Sequence, residues 1–217
     1  MTWIDQLQPT NWNRASGIAL ASYILGCFTT GFYYVRLRTE QDIRDLGSGS
    51  VGAKNVGRVL GWKGFWVTLL GDFAKGAVAV WAAQQFTPDN RLVAVALLAV
   101  VVGHVWPAQL RFHGGKGIAT SLGGLLVYDY RLALIFAAVF ALAFATLRRT
   151  VLPGLFAFAC LPLASLYMYW QPDPARVVAI SVLAALILLT HRKNLSDEFF
   201  HFLGRRHTEP KRTDAKL

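Results

Sequence analysis

The sequence predicts an all-α integral membrane protein of seven transmembrane helices, some short or broken, with the amino terminus outside and the carboxyl terminus cytoplasmic. Three observations predict it. Hydrophobic residues make up 54% of the chain and charged residues 16%, at a mean hydropathy of +0.40, too apolar for an ordinary soluble domain of 217 residues. The apolar residues gather into seven runs, and the cationic residues gather between alternate runs.

The first run, 15–34 (ASGIALASYILGCFTTGFYY), follows a polar stretch and continues as a long segment, so it is expected to be a span rather than a cleaved leader. The second, 62–85, contains GDFAKG, in which Asp72 and Lys75 stand three apart. On a helix they share a face and can pair, and at membrane depth both must face protein or a polar cavity, as a packing pair or as a pair that touches substrate. The third run, 91–110, is interrupted by His104 and disturbed near its end by Pro107. The fourth, 115–128 (GKGIATSLGGLLVY), is rich enough in glycine to be either a short packed helix or part of a broken one. Runs at 131–147, 151–170 and 175–190 complete the set, several of them shorter than the roughly 20 residues that cross hydrocarbon.

The charge map supports seven. With the amino terminus outside, seventeen of the 22 basic residues fall inside, in the regions of Arg36 to Lys63, Arg111 to Lys116, Arg148 and Arg149, and the tail. Only Arg14, Arg91, Arg131 and Arg176 fall outside, and Lys75 lies within a span. Deleting the fourth run would put either Arg148 and Arg149 or the early basic loop on the wrong side. The organisation expected is a single polytopic membrane domain over 1–204 and a basic cytoplasmic tail over 205–217, with no internal repeat. The net charge of +10 follows membrane boundaries and forms no nucleic-acid recognition pattern. Cys27 and Cys160 lie in apolar runs without ligand spacing, and neither a metal site nor a cofactor is expected.

Three polar clusters fall on the side assigned to the cytoplasm. GSGSVGAKNVGR, residues 47–58, combines four glycines with Lys54 and Arg58, the makings of an anion loop or of a flexible connector. Gly114-Gly115-Lys116-Gly117 opens the fourth run, where helix-start amides, the helix dipole and a lysine suit an anion. It is not a Walker A loop, because the GxxxxGK[ST] spacing and a preceding strand are both missing. HRKNLSDEF, residues 191–199, follows the last run. Their convergence on one face suggests a site that accepts a soluble phosphorylated molecule and, through the bilayer, a lipophilic one.

These clusters match ordered motifs. SGSVGAKNVGR resembles SGNxGATNxxR at Ser48, Gly49, Gly52, Ala53, Asn55 and Arg58; GHVWPAQLRFHGGKG resembles GHxxPxxxxFxGGKG at Gly103, His104, Pro107, Phe112 and Gly114 to Gly117; HRKNL resembles HRxN at His191, Arg192 and Asn194; and GDFAKG resembles GDxxKG at Asp72 and Lys75 with their glycines. The chain thereby resembles the bacterial acyl-phosphate:glycerol-3-phosphate acyltransferase (PlsY) family over roughly residues 20–204. The resemblance implies seven helices in the bacterial cytoplasmic (inner) membrane and transfer of a fatty acyl group from acyl phosphate to the 1-hydroxyl of sn-glycerol 3-phosphate, giving lysophosphatidic acid and phosphate. Its implied partners are sn-glycerol 3-phosphate, acyl phosphate, membrane lipid and a soluble enzyme that produces acyl phosphate, with no nucleic acid.

On this resemblance Ser48, Arg58 and Lys116 lead in phosphate binding and positioning, supported by His104, Asn194, His191 and Arg192. The glycines at 47, 49, 52, 114, 115 and 117 give close approach and amides for phosphate, with Lys54 and Asn55 beside them. The resemblance implies no essential side-chain base, although His104 is the one conventional base by chemistry, with a free pKa near 6.5. The chain departs from the pattern with Ser50 for Asn, Lys54 for Thr and Lys193 for Glu. Rival readings are a small-anion transporter, weakened by the missing repeat, and a non-catalytic homologue acting in phospholipid synthesis.

Overall fold

The computed structural model describes residues 12–171 and 173–196. Among them the main elements are eight α-helices and no strand: α1 (Trp12–Cys27), α2 (Thr30–Thr39), α3 (Ala53–Phe86), α4 (Asn90–Val105), α5 (Ile118–Tyr128), α6 (Tyr130–Leu147), α7 (Val151–Tyr169) and α8 (Pro174–Thr190). The expected tail, 205–217, lies outside the described residues.

All seven apolar runs are helical, with one division that the sequence reading missed. The first run is two helices, α1 and α2, separated by Phe28 and an extended Thr29. By length and apolarity five segments suffice to cross a membrane: Trp12–Thr39, α3, Asn90–Leu110, α6 and α7. At 1.5 Å per residue, the 11 residues of α5 extend only ~16 Å and the 17 of α8 ~25 Å, against roughly 30 Å of hydrocarbon.

Helix α3 contains its own corner. Gly61 has φ +73° and ψ −169°, a conformation open only to glycine, so residues 53–60 form an amino-terminal arm and the membrane rod begins at Trp62. That corner is where the apolar run starts in the sequence. α4 lies at the centre, with Leu97, Val100 and Val101 fully buried. Small residues let its neighbours come close: a Cβ at Gly76 of α3 would fall 2.0 Å from the Thr120 carbonyl oxygen, and one at Gly123 of α5 only 1.9 Å from that of Phe73. Apolar burial does not drive association between lipid-solvated helices, so this backbone-to-backbone packing of α3 on α5 carries the contact. α6 lies at the periphery, with only Leu132 and Phe136 buried and Leu134 and Leu142 turned outward.

The two ends of the bundle differ in charge. At one end α4, α6 and α8 begin at Asp89, Asp129 and Asp173, each of which accepts backbone N–H groups of its helix. These carboxylates are compensated: Arg91 pairs with Asp89, and Arg176 bridges Asp173 (3.1 Å) and Asp129 (2.7 Å). At the other end lie the 40–52 segment, the arm of α3, the α4–α5 and α6–α7 turns and the 191–196 turn, where basic side chains outnumber acidic ones among the described residues.

Candidate active site

One side chain holds the glycine-rich loop. Asn55, in the first turn of α3 and buried, donates from Nδ2 to the Leu46 and Ser50 carbonyls at 2.9 Å each and accepts the Ser48 N–H at Oδ1 at 2.8 Å. The loop needs left-handed backbone at Gly47 (φ +58°) and Gly49 (φ +71°). Both ends of the Asn55 amide are thus engaged within the loop, so Asn55 shapes it from beneath. Gly52 caps α3, donates its N–H to Ser50 Oγ and puts no side chain over the helix start. The positive end of the helix dipole therefore faces the loop. Ser48, Lys54 and Arg58 are exposed around it, the last two one turn apart on one face. Lys54 Nζ donates to Thr150 Oγ1, tying the arm to the α6–α7 turn.

The second and third motifs meet directly. Lys116 Nζ donates to Asn194 Oδ1 at 2.7 Å, and Thr190 Oγ1 donates to the Lys116 carbonyl at 3.0 Å. Because the ammonium holds Oδ1, the Asn194 amide turns its NH₂ donors elsewhere. His191 is buried behind this junction with Nδ1 at 2.9 Å from the Ile187 carbonyl. A carbonyl only accepts, so the neutral ring carries its proton on Nδ1 and leaves Nε2 unprotonated. Arg192 and Lys193 are exposed on the turn that follows.

Burial, assisted by the Lys116 ammonium, pushes the His191 pKa below 6.5. The unfolded chain then binds this proton more readily than the folded one. The contribution of a neutral His191 is complete above about pH 6.5 and is lost as pH falls below that toward the folded value. The melting temperature of wild type relative to His191→Gln should accordingly drop between about pH 7.5 and about pH 5.5. An offset that stays constant across that window would contradict it.

The GGKG turn is fastened to the end of α4. The N–H groups of Gly114 and Gly115 donate to the carbonyls of Val105 and His104 at 3.0 Å each, so here these two amides serve the turn itself. A Cβ at Gly115 would fall 2.1 Å from His104 Nε2, so the ring edge rests on the glycine. Gly117, at φ +86°, turns the chain into α5 and leaves that helix without a side-chain cap.

Asp72 and Lys75 do pair, at 3.1 Å and almost wholly buried, and their partners explain the broken first span. Lys75 Nζ donates to the Gly26 and Phe28 carbonyls, at 3.1 and 2.7 Å, where α1 ends. Asp72 Oδ1 accepts the Thr30 N–H at 3.2 Å, where α2 begins. The cation meets the negative end of one helix dipole and the anion the positive end of the next. The pair satisfies backbone groups that lipid could not. His104 completes the cluster, with Nδ1 2.8 Å from Lys75 Nζ.

Sequence reasoning missed the residues that join these parts. Arg44 is forked onto Asp42, with contacts of 2.6 to 3.0 Å, and its Nη1 donates to the Leu110 carbonyl at 2.9 Å, linking the glycine-rich segment to the α4–α5 turn. This hydrogen bonding holds the Asp42 carboxyl below its ordinary value. Gln109 likewise reaches the Cys27 carbonyl. An acid and a base two residues apart gave only a local signal, and nothing in the sequence marked carbonyl partners so distant in the chain.

Comparison with known proteins agrees with this architecture. The model of the family described as glycerol-3-phosphate acyltransferase matches residues 16–199. A glycerol-3-phosphate acyltransferase 1 of Desulfitobacterium hafniense is 44% identical over 178 residues, covering 82% of this chain and 87% of that one. A protein with the same description from Bacillus anthracis is 42% identical over 172 residues, covering 78% and 87%. Among solved structures, the chain resembles the crystal structure of PlsY (YgiH), an integral membrane glycerol 3-phosphate acyltransferase. Against its glycerol 3-phosphate form the TM-score is 0.77 at 31% identity, covering 89% of this chain and 94% of that one. Against its lysophosphatidic acid form the TM-score is 0.75 at 30% identity, with the same coverage.

Proposed function

The chain belongs to the glycerol-3-phosphate acyltransferase family, and from that premise we propose that it transfers a fatty acyl group from acyl phosphate to the 1-hydroxyl of sn-glycerol 3-phosphate, releasing lysophosphatidic acid and phosphate at the cytoplasmic face of the bacterial inner membrane. The observation that carries the proposal is the junction of Lys116, Asn194 and His191 at the same end of the bundle as the open start of α3. The excess of basic side chains at that end supports its cytoplasmic placement and, with it, an external amino terminus.

Acyl phosphate is a mixed anhydride, so its acyl carbon is already activated. The hydroxyl oxygen forms the new C–O bond, the acyl C–O bond to phosphorus breaks, phosphate leaves with the electron pair, and a phosphate oxygen takes the hydroxyl proton. No covalent enzyme intermediate is needed. The protein's task is to hold two phosphates and an acyl chain in register and to stabilise charge. Lys116 supplies a cation, the Asn194 NH₂ supplies donors, and Ser48, Arg58 and the α3 dipole form the second pole. Lys54, where the family pattern has threonine, adds charge beside that pole. The test compares donors: purified protein should acylate glycerol 3-phosphate from acyl phosphate and leave acyl-CoA unused. Comparable transfer from acyl-CoA, with acyl phosphate inert, would overturn the donor assignment.

A further inference from the structure

The buried cluster of Asp72, Lys75 and His104 has a reach beyond the broken helix. The Lys75 ammonium has three hydrogens and no lone pair. Four acceptors lie around it: Phe28 O at 2.7 Å, His104 Nδ1 at 2.8 Å, and Gly26 O and Asp72 Oδ1 at 3.1 Å. An ammonium that cannot accept requires the ring nitrogen it touches to present a lone pair. The proton of the neutral imidazole is then on Nε2, the atom against Gly115. The same residue holds the turn by its main chain, since its carbonyl takes the Gly115 N–H and that of Val105 takes the Gly114 N–H. The next residue in the turn is Lys116.

We infer that Lys75 is a positioning residue for the Gly114-Gly115-Lys116 turn: its ammonium fixes His104 as the Nε2–H tautomer and seats the ring edge against Gly115, and so sets where Lys116 stands. His104 is then no general base, because the nitrogen that faces the turn carries a proton. It acts through the turn. His191, protonated on Nδ1 by its contact with Ile187, holds the opposite tautomer. The inference concerns the site proposed above, and only its kinetic arm rests on the acyl-transfer reading.

The first arm needs no substrate. Nitrogen-15 spectra of the histidine rings are recorded on the full-length protein in nanodiscs, with the His104 signals identified by their loss in His104→Phe. The expected result is an unprotonated Nδ1 and a protonated Nε2 at neutral pH. A protonated Nδ1 would overturn the inference. The second arm measures glycerol 3-phosphate kinetics in the double variant Asp72→Asn, Lys75→Met, which removes the buried charges together and keeps a carbonyl oxygen for the Thr30 N–H. A displaced turn should raise KM for glycerol 3-phosphate at least about tenfold while kcat changes less than about threefold. Wild-type KM in the folded variant would reduce Lys75 to a packing role and overturn the inference. His104→Phe, which keeps the ion pair, is the second variant should the double variant not fold, with the same KM shift expected and the same contrary outcome. An inactive wild type that nevertheless shows the Nε2–H tautomer would refute the acyl-transfer reading and leave the tautomer standing.

Discussion

Lys116→Ala should lower kcat/KM by on the order of a hundredfold, a loss of ~2.7 kcal/mol of transition-state stabilisation. The ammonium is half-buried at the start of α5, and its contact with Asn194 makes it the meeting point of two motifs. Removing it takes away the cation and also frees the Asn194 amide to rotate, so the effect exceeds that of a lone surface charge. The backbone role of this residue survives, because Thr190 bonds its carbonyl rather than its side chain. Full kinetic analysis of a folded Lys116→Ala protein checks the expectation, and activity within about threefold of wild type would remove Lys116 from the site.

Arg58→Ala should lose at least about tenfold in kcat/KM, or ~1.4 kcal/mol. Arg58 stands one turn beyond Lys54 on an arm set by the Gly61 corner and by the Asn55 clamp, and its side chain is exposed beside the glycine-rich loop. A guanidinium can hold a phosphate with two parallel hydrogen bonds, and if Arg58 does so Arg58→Lys should be impaired as well, the ammonium being unable to reproduce the planar fork. The exposed Lys193, replaced by alanine, serves as the control and should stay near wild type. Wild-type kinetics in both Arg58 variants would detach the arm of α3 from the reaction.

Much of this was legible in the sequence because lipid imposes strict rules. Each apolar run had to become helical, and each did, the first as two helices. The start of the second run at 62 coincides with Gly61, since a left-handed corner and the end of an interfacial arm require the same glycine. The pairing of Asp72 with Lys75 followed from their spacing. What they pair for did not, because the break is marked only by the short Thr29-Thr30-Gly31 interruption of an apolar run, and nothing in the sequence ties it to a buried pair more than forty residues away. Asn55 and the glycines at 114 and 115 show a second limit. Residue type suggested groups that face phosphate, whereas hydrogen bonding turns their polar atoms inward to build the surface. A motif records that a residue is required, and only its partners tell whether it touches the ligand or holds a residue that does.

The central proposal is that this bundle end holds acyl phosphate beside sn-glycerol 3-phosphate and passes the acyl group from the donor's phosphate to the acceptor's 1-hydroxyl. It is tested most directly by incubating the purified protein in lipid with acyl phosphate, with and without sn-glycerol 3-phosphate, and following inorganic phosphate and acylated glycerol phosphate together. The account predicts phosphate release that depends on glycerol 3-phosphate and matches, mole for mole, the lysophosphatidic acid formed. Phosphate release at the same rate without the acceptor, or no acylated product in its presence, would contradict it.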